Sequence, residues 1–142
     1  MPINRNIIEL KISKIREIIK RIRDLDFSDE QSYDETILQD ALVFRLVQAV
    51  EAAIDIATHI ISNLEITRPE SYKDLFLSLN KQNILTQKTA HEMAQAAGFR
   101  NLAVHEYDEQ KFDYDQVKRD YLSDVVTLNN FCAEIIEFLK KN

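Results

Sequence analysis

A chain whose only glycine is Gly98 and whose only prolines are Pro2 and Pro69 has few ways to reverse direction tightly. Sheet proteins need turn residues at short intervals, because a strand spans only a few residues before the chain must double back. Spread over 142 residues, so few breakers favour long helices. The apolar spacing agrees. Ile8, Ile12, Ile15, Ile19 and Ile22 recur at alternating steps of four and three, which marks one helical stripe from about residue 4 to residue 25.

The segment DFSDEQSYDE is polar and acidic and reads as a loop that ends in a helix start near Asp34. Leu38, Leu42, Leu46, Ala49, Ala53, Ile56, Ile60 and Leu64 then continue the helical pattern. That second helix spans roughly 30 residues, or ~45 Å, and forms the spine of the fold. Pro69 stops it before a short helix around Tyr72 to Leu79. Thr86 is placed to cap a fourth helix through TQKTAHEMAQAAGFRNLAVHEY. Asp113 is placed to cap a fifth, with Val117, Tyr121, Val125, Leu128, Cys132, Ile135 and Leu139 on its buried stripe. The expected fold is all-α: an antiparallel bundle of about five helices in one domain, residues 1–142, with a long second helix. A chain of this length buries roughly two-thirds of its unfolded surface.

Cys132 is alone, which excludes an intramolecular disulfide and a thiolate metal cluster; it reads as a small apolar packing residue. The N-terminal MPINRNIIELKISK is charged every few residues, unlike a signal peptide. No segment approaches the ~20 apolar residues of a membrane span, so a cytoplasmic location is expected. A net charge of −6 disfavours a protein that coats nucleic acid non-specifically, although a small positive site remains compatible with it. Lys11, Lys14, Arg16, Lys20, Arg21 and Arg23 sit among the isoleucines of the first stripe. They read either as a solvated helix face or as a surface that contacts RNA.

Within the fourth helix, Gly98 opens the stretch GFRNLAVHEY. A glycine there costs ~1 kcal/mol relative to alanine, which suggests close approach by another group. Ala94, Gly98, Asn101 and His105 share one face, small and then polar, suited to a neighbouring helix or to the same helix of a second subunit. Arg100 and His105 are five residues apart and point ~140° away from each other on a regular helix. Either the helix ends between them, or a site assembles from two copies about a two-fold axis. An arginine and histidine so assembled can cleave RNA without a metal. Histidine exchanges protons near neutrality, with the ribose 2′-hydroxyl or the leaving oxygen. Arginine offers a fixed fork of donors to the charged transition state. Asn101 could orient the histidine or bond to phosphate.

RNLAVHEY resembles the R-x4-6-H motif of HEPN-domain ribonucleases, in the R-x4-H-x-Y form of HepT-like toxins. RLVQAVEAAIDIATHIISNL is similar to that family's long second helix, and PESYKDLFLSLNKQNILTQ to its following helix and turn; together they cover most of residues 40–110. The resemblance implies a helical, usually dimeric bundle. Its partner would be a minimal nucleotidyltransferase antitoxin and its substrate an RNA, such as tRNA or mRNA. No cofactor, metal or membrane is implied. Arg100 and His105 match the catalytic positions, and Tyr107 matches the tyrosine that the antitoxin modifies with AMP. Ala103 stands where a larger aliphatic is commoner.

Asp55, in AAIDIATHI, reads as a solvated residue or as an acid that holds Arg100, and Glu51 one turn earlier could serve the same purpose. His59 and His91 have no accompanying acid or cysteine cluster that would make them metal ligands. Two other function classes compete with the ribonuclease: a non-catalytic helical subunit that binds a nucleotidyltransferase, and a purely structural dimer.

Overall fold

In a computed structural model, which describes residues 3–25, 27, 35–106 and 112–142, five helices follow one another: α1 (Arg5–Arg23), α2 (Glu35–Ser62), α3 (Tyr72–Lys81), α4 (Gln87–Glu106) and α5 (Tyr114–Lys140). The described residues contain no strand. Every isoleucine of the α1 stripe is buried, and Ile18 joins them. Each contributes about 2 kcal/mol by leaving water. The start of α1 is pinned to the end of α2. Asn4 accepts from the Ile7 amide through its side chain at 3.3 Å, and its own amide donates to Nε2 of His59 at 3.1 Å. His59 therefore has a structural partner 55 residues away in sequence.

α2 is the spine, packing against each of the other four helices. Ala49, Ala53 and Ala57 are fully buried along it. Their small side chains let neighbouring helices approach closely. Phe76 of α3 meets Phe131 of α5 edge to face, with ring centres 5.8 Å apart. Cys132 lies in the same core, where burial pushes its thiol up to about 11 against a smaller opposing influence from Arg16.

The turns show how a chain with one glycine stops its helices. After α3, Asn83 adopts φ 60°, the left-handed conformation that asparagine tolerates best after glycine. The Ile84 amide returns to the Leu79 carbonyl and the Asn83 amide to that of Asn80, both at 2.9 Å. This is the paired bond pattern of a Schellman cap. α4 starts as the sequence suggests, with Thr86 Oγ1 accepting from the Thr89 amide at 3.2 Å. Glu134 of α5 adds a second anchor, accepting from the Thr86 amide at 2.6 Å and from the Thr89 hydroxyl. Asp113 caps α5 by accepting from the Gln116 amide at 3.2 Å. The helix that carries the motif is thus fixed at its N-terminus to α5. No helix among the described residues is long and apolar enough to cross a membrane.

Candidate active site

α4 does not end between Arg100 and His105; it stays helical through Glu106. The two residues nevertheless border one cleft of about 920 Å³, walled by the C-terminal turns of α2, the segment from Ile66 to Ser71, and the first turn of α3. Divergent directions on the helix therefore do not keep the two from bordering one cleft, for two reasons. The cleft is broad, and arginine is long enough to bend back toward α2 and α3 while His105 stands exposed at the rim.

Arg100 is held on three sides. Its Nε and Nη2 donate to Oε1 of Glu51 at 3.3 and 3.2 Å, and its Nη1 donates to Oδ1 of Asn101 at 3.1 Å. The Tyr72 ring lies 5.4 Å from the guanidinium carbon, a cation–π distance. The side chain is only 20 % exposed, so its position is set before any ligand arrives. Of the two acids the sequence offers, Glu51 holds Arg100. Asp55 does not: it pairs instead with Lys11 of α1 at 3.0 Å. Asn101 supports the arginine rather than the histidine.

Gly98 faces α3. A Cβ placed there would lie 3.1 Å from Cε and 3.4 Å from Nζ of Lys73, so within the chain only the flexible end of one α3 side chain stands beside the missing side chain. Ala94 is buried while Asn101 and His105 are exposed, so their shared face passes from core to solvent along its length. Ala103 is buried. Tyr107 lies outside the described residues. Two members of the cleft escaped the sequence reading. Tyr72 had a usable signal, an exposed aromatic in the first turn of a short polar helix, whereas Arg68 sits in a connection whose path no periodicity reveals.

Comparison with known proteins decides the family. Residues 10–135 match the ribonuclease HepT-like family. The chain belongs to it. It is 36 % identical over 108 residues to the mRNA nuclease HepT of Shewanella oneidensis, covering 76 % of this chain and 81 % of that one. It is 33 % identical over 104 residues to the tRNA nuclease HepT of Aphanizomenon flos-aquae, with 72 % and 71 % covered. The solved structure of the tri-AMPylated Shewanella oneidensis HEPN toxin in complex with MNT antitoxin superposes with a TM-score of 0.84 at 31 % identity, over 94 % of this chain and 99 % of that one. The expected HepT-like fold is the observed one, and the reaction class of the family is RNA cleavage. In this HepT-like chain the motif arginine is a pre-oriented cation, and the motif histidine is open to solvent across the same cleft.

Proposed function

We propose that the protein is a metal-independent endoribonuclease toxin of a toxin–antitoxin pair, acting in the cytoplasm as a homodimer. The observation that carries this reading is the fixed guanidinium of Arg100 in the cleft that His105 borders. An RNA phosphate entering the cleft meets a donor fork already aligned, and the Glu51 carboxylate yields part of that fork to the incoming oxygens. The His105 imidazole takes the proton from the ribose 2′-hydroxyl, and the freed oxygen attacks the adjacent phosphorus. The bond to the 5′-oxygen breaks as a second imidazole, from the two-fold mate, returns a proton to it. Arg100 stabilises the extra negative charge that develops on phosphorus-bound oxygen. A 2′,3′-cyclic phosphate remains on one product.

The partner in this reading is a minimal nucleotidyltransferase that transfers AMP to Tyr107, two residues beyond His105. Each AMP brings a negative phosphodiester and considerable bulk to the place where RNA must enter. It competes for Arg100 and repels the substrate. The test of the assignment uses two variants. Arg100→Ala and His105→Ala, with wild-type helical content, should each abolish RNA cleavage, while a chelator leaves the wild type active. A folded His105→Ala protein that cleaves as well as wild type would overturn it and favour a non-catalytic binding subunit.

A further inference from the structure

A net charge of −6 hides a strong segregation. α1 carries seven basic and two acidic residues. That is a net +5, which leaves −11 on the rest of a chain whose total is −6. The basic residues divide between two flanks of the buried stripe. Arg5 and Arg16 mark the flank toward α5: Arg5 bonds the Asn142 carbonyl, and Arg16 lies near enough to Cys132 to influence its thiol. The opposite flank is formed by Ile7, Lys11, Lys14, Ile18 and Arg21, at steps of four, three, four and three, so they align along one side of the helix.

That second flank adjoins the active-site face. Ile7 and Lys11 border a shallow hollow of about 340 Å³ together with Asp55, Thr58, His59 and Ser62 of α2. Thr58 and Ser62 also wall the Arg100–His105 cleft, so the hollow and the cleft share an edge. The outer face of α2 bridges the two cationic elements through acids one turn apart, Glu51 to Arg100 at 3.2 Å and Asp55 to Lys11 at 3.0 Å. In the Lys11–Asp55 pair Asp55 is exposed and Lys11 half-buried, while Arg21 and Glu17, paired at 3.6 Å, are both exposed. Water screens ion pairs open to solvent, so a phosphate can displace the carboxylate. Lys14 is exposed and forms no ion pair among the described residues. From Lys11 to Arg21 the ridge extends ~15 Å along the helix, room for more than one backbone phosphate.

We infer that this flank of α1 is a track for single-stranded RNA. Lys11, Lys14 and Arg21 hold the phosphates of the strand beside the cut, and the track leads across the end of α2 into the cleft. The inference rests on the ribonuclease reading of Arg100 and His105. Continuity favours RNA over an acidic protein as occupant: one polyanion satisfies both the ridge and the cleft, whereas the chain outside α1, with its net −11, repels it on the whole. The ridge also resolves how a chain with an acidic total captures its substrate.

The experiment compares Lys14→Glu/Arg21→Glu with a control of equal charge change on the other flank, Arg16→Glu/Lys20→Glu. Binding of a long unstructured RNA is read by fluorescence anisotropy on the His105→Ala background at several salt concentrations. Cleavage of that RNA and of a dinucleotide is read on the active background. The ridge variant should bind the long RNA at least about tenfold more weakly, with a salt slope shallower by roughly 1.4, since each lost contact to a single strand removes about 0.7. Its KM for long RNA should rise while the dinucleotide, too short to reach the ridge, is cut at the wild-type rate. Equal losses in ridge variant and control, or wild-type affinity in the ridge variant, would overturn the track. So would a ridge variant that binds RNA normally yet no longer holds its nucleotidyltransferase partner, which would make the ridge a protein interface. Should the wild type cut neither substrate, the ribonuclease reading falls, and the anisotropy arm still decides whether α1 binds RNA.

Discussion

Replacing Asp124 with asparagine should stabilise the protein at alkaline pH and do little at acid pH. Asp124, on α5, lines a cavity of about 480 Å³ behind α4, against Phe99, Leu102, Val117 and Leu128. Burial raises its carboxyl from an ordinary value near 3.8 to about 6, with the like charges of Asp120 and Glu92 adding to the rise. The folded state therefore binds this proton more tightly than the unfolded chain does. The contribution of the protonated acid is fully present below the unfolded value and is lost as pH climbs through about 6. A shift of this size corresponds to a ceiling of about 3 kcal/mol at pH 8. Asp124 is partly open to solvent, and screening reduces the expected effect to roughly 1–2 kcal/mol. Asparagine keeps the shape and removes the charge. Urea unfolding of Asp124→Asn and wild type at about pH 8 and pH 4.5 gives the comparison. The variant's advantage should shrink to roughly a third at the lower pH, where the folded wild type is already protonated. An advantage independent of pH, or a loss of stability at pH 8, would refute the argument that charge burial is the cause.

Two further outcomes follow from individual contacts. Gly98→Ala should raise stability by up to ~1 kcal/mol through helix propensity, because the Cβ meets only the flexible end of Lys73; calorimetry checks it, and a net loss would mean that something less yielding fills the space. Tyr107→Phe should keep ribonuclease activity yet escape neutralisation by the partner nucleotidyltransferase with ATP. Intact-mass spectrometry after co-expression reads it, and AMP additions unchanged in the variant would exclude Tyr107 as the acceptor.

The helices were legible because their apolar periodicity is regular and their caps are chemically explicit. Thr86 and Asp113 each accept the amide bond that their residue type and position suggest. The stop after α3 was not legible, because asparagine replaces the usual glycine signal there. That Arg100, Asn101 and His105 belong together was legible from their spacing, but the geometry around them was not. Glu51 and Asp55 both lie one turn apart on the outer face of α2, so spacing alone cannot say which meets α4 and which meets α1. That choice depends on how far the neighbouring helices are offset along α2, a tertiary quantity. The 140° between Arg100 and His105 shows how their Cα–Cβ directions diverge but not where the end of a long arginine arrives, which those directions do not limit. The charges of α1 were visible, but their division into two flanks acquires meaning only from what packs beside each.

The proposed chemistry has Arg100 and His105 cut RNA by activating its own 2′-hydroxyl with side chains alone. The most direct measurement is the chemistry of the new ends when purified protein cleaves a defined RNA in the presence of EDTA, with a 2′-O-methyl RNA of the same sequence alongside. The expected products carry 2′,3′-cyclic phosphate and 5′-hydroxyl ends in amounts undiminished by the chelator, and the methylated strand stays intact. Products with 3′-hydroxyl and 5′-phosphate ends, formed only when divalent metal is supplied, would contradict it.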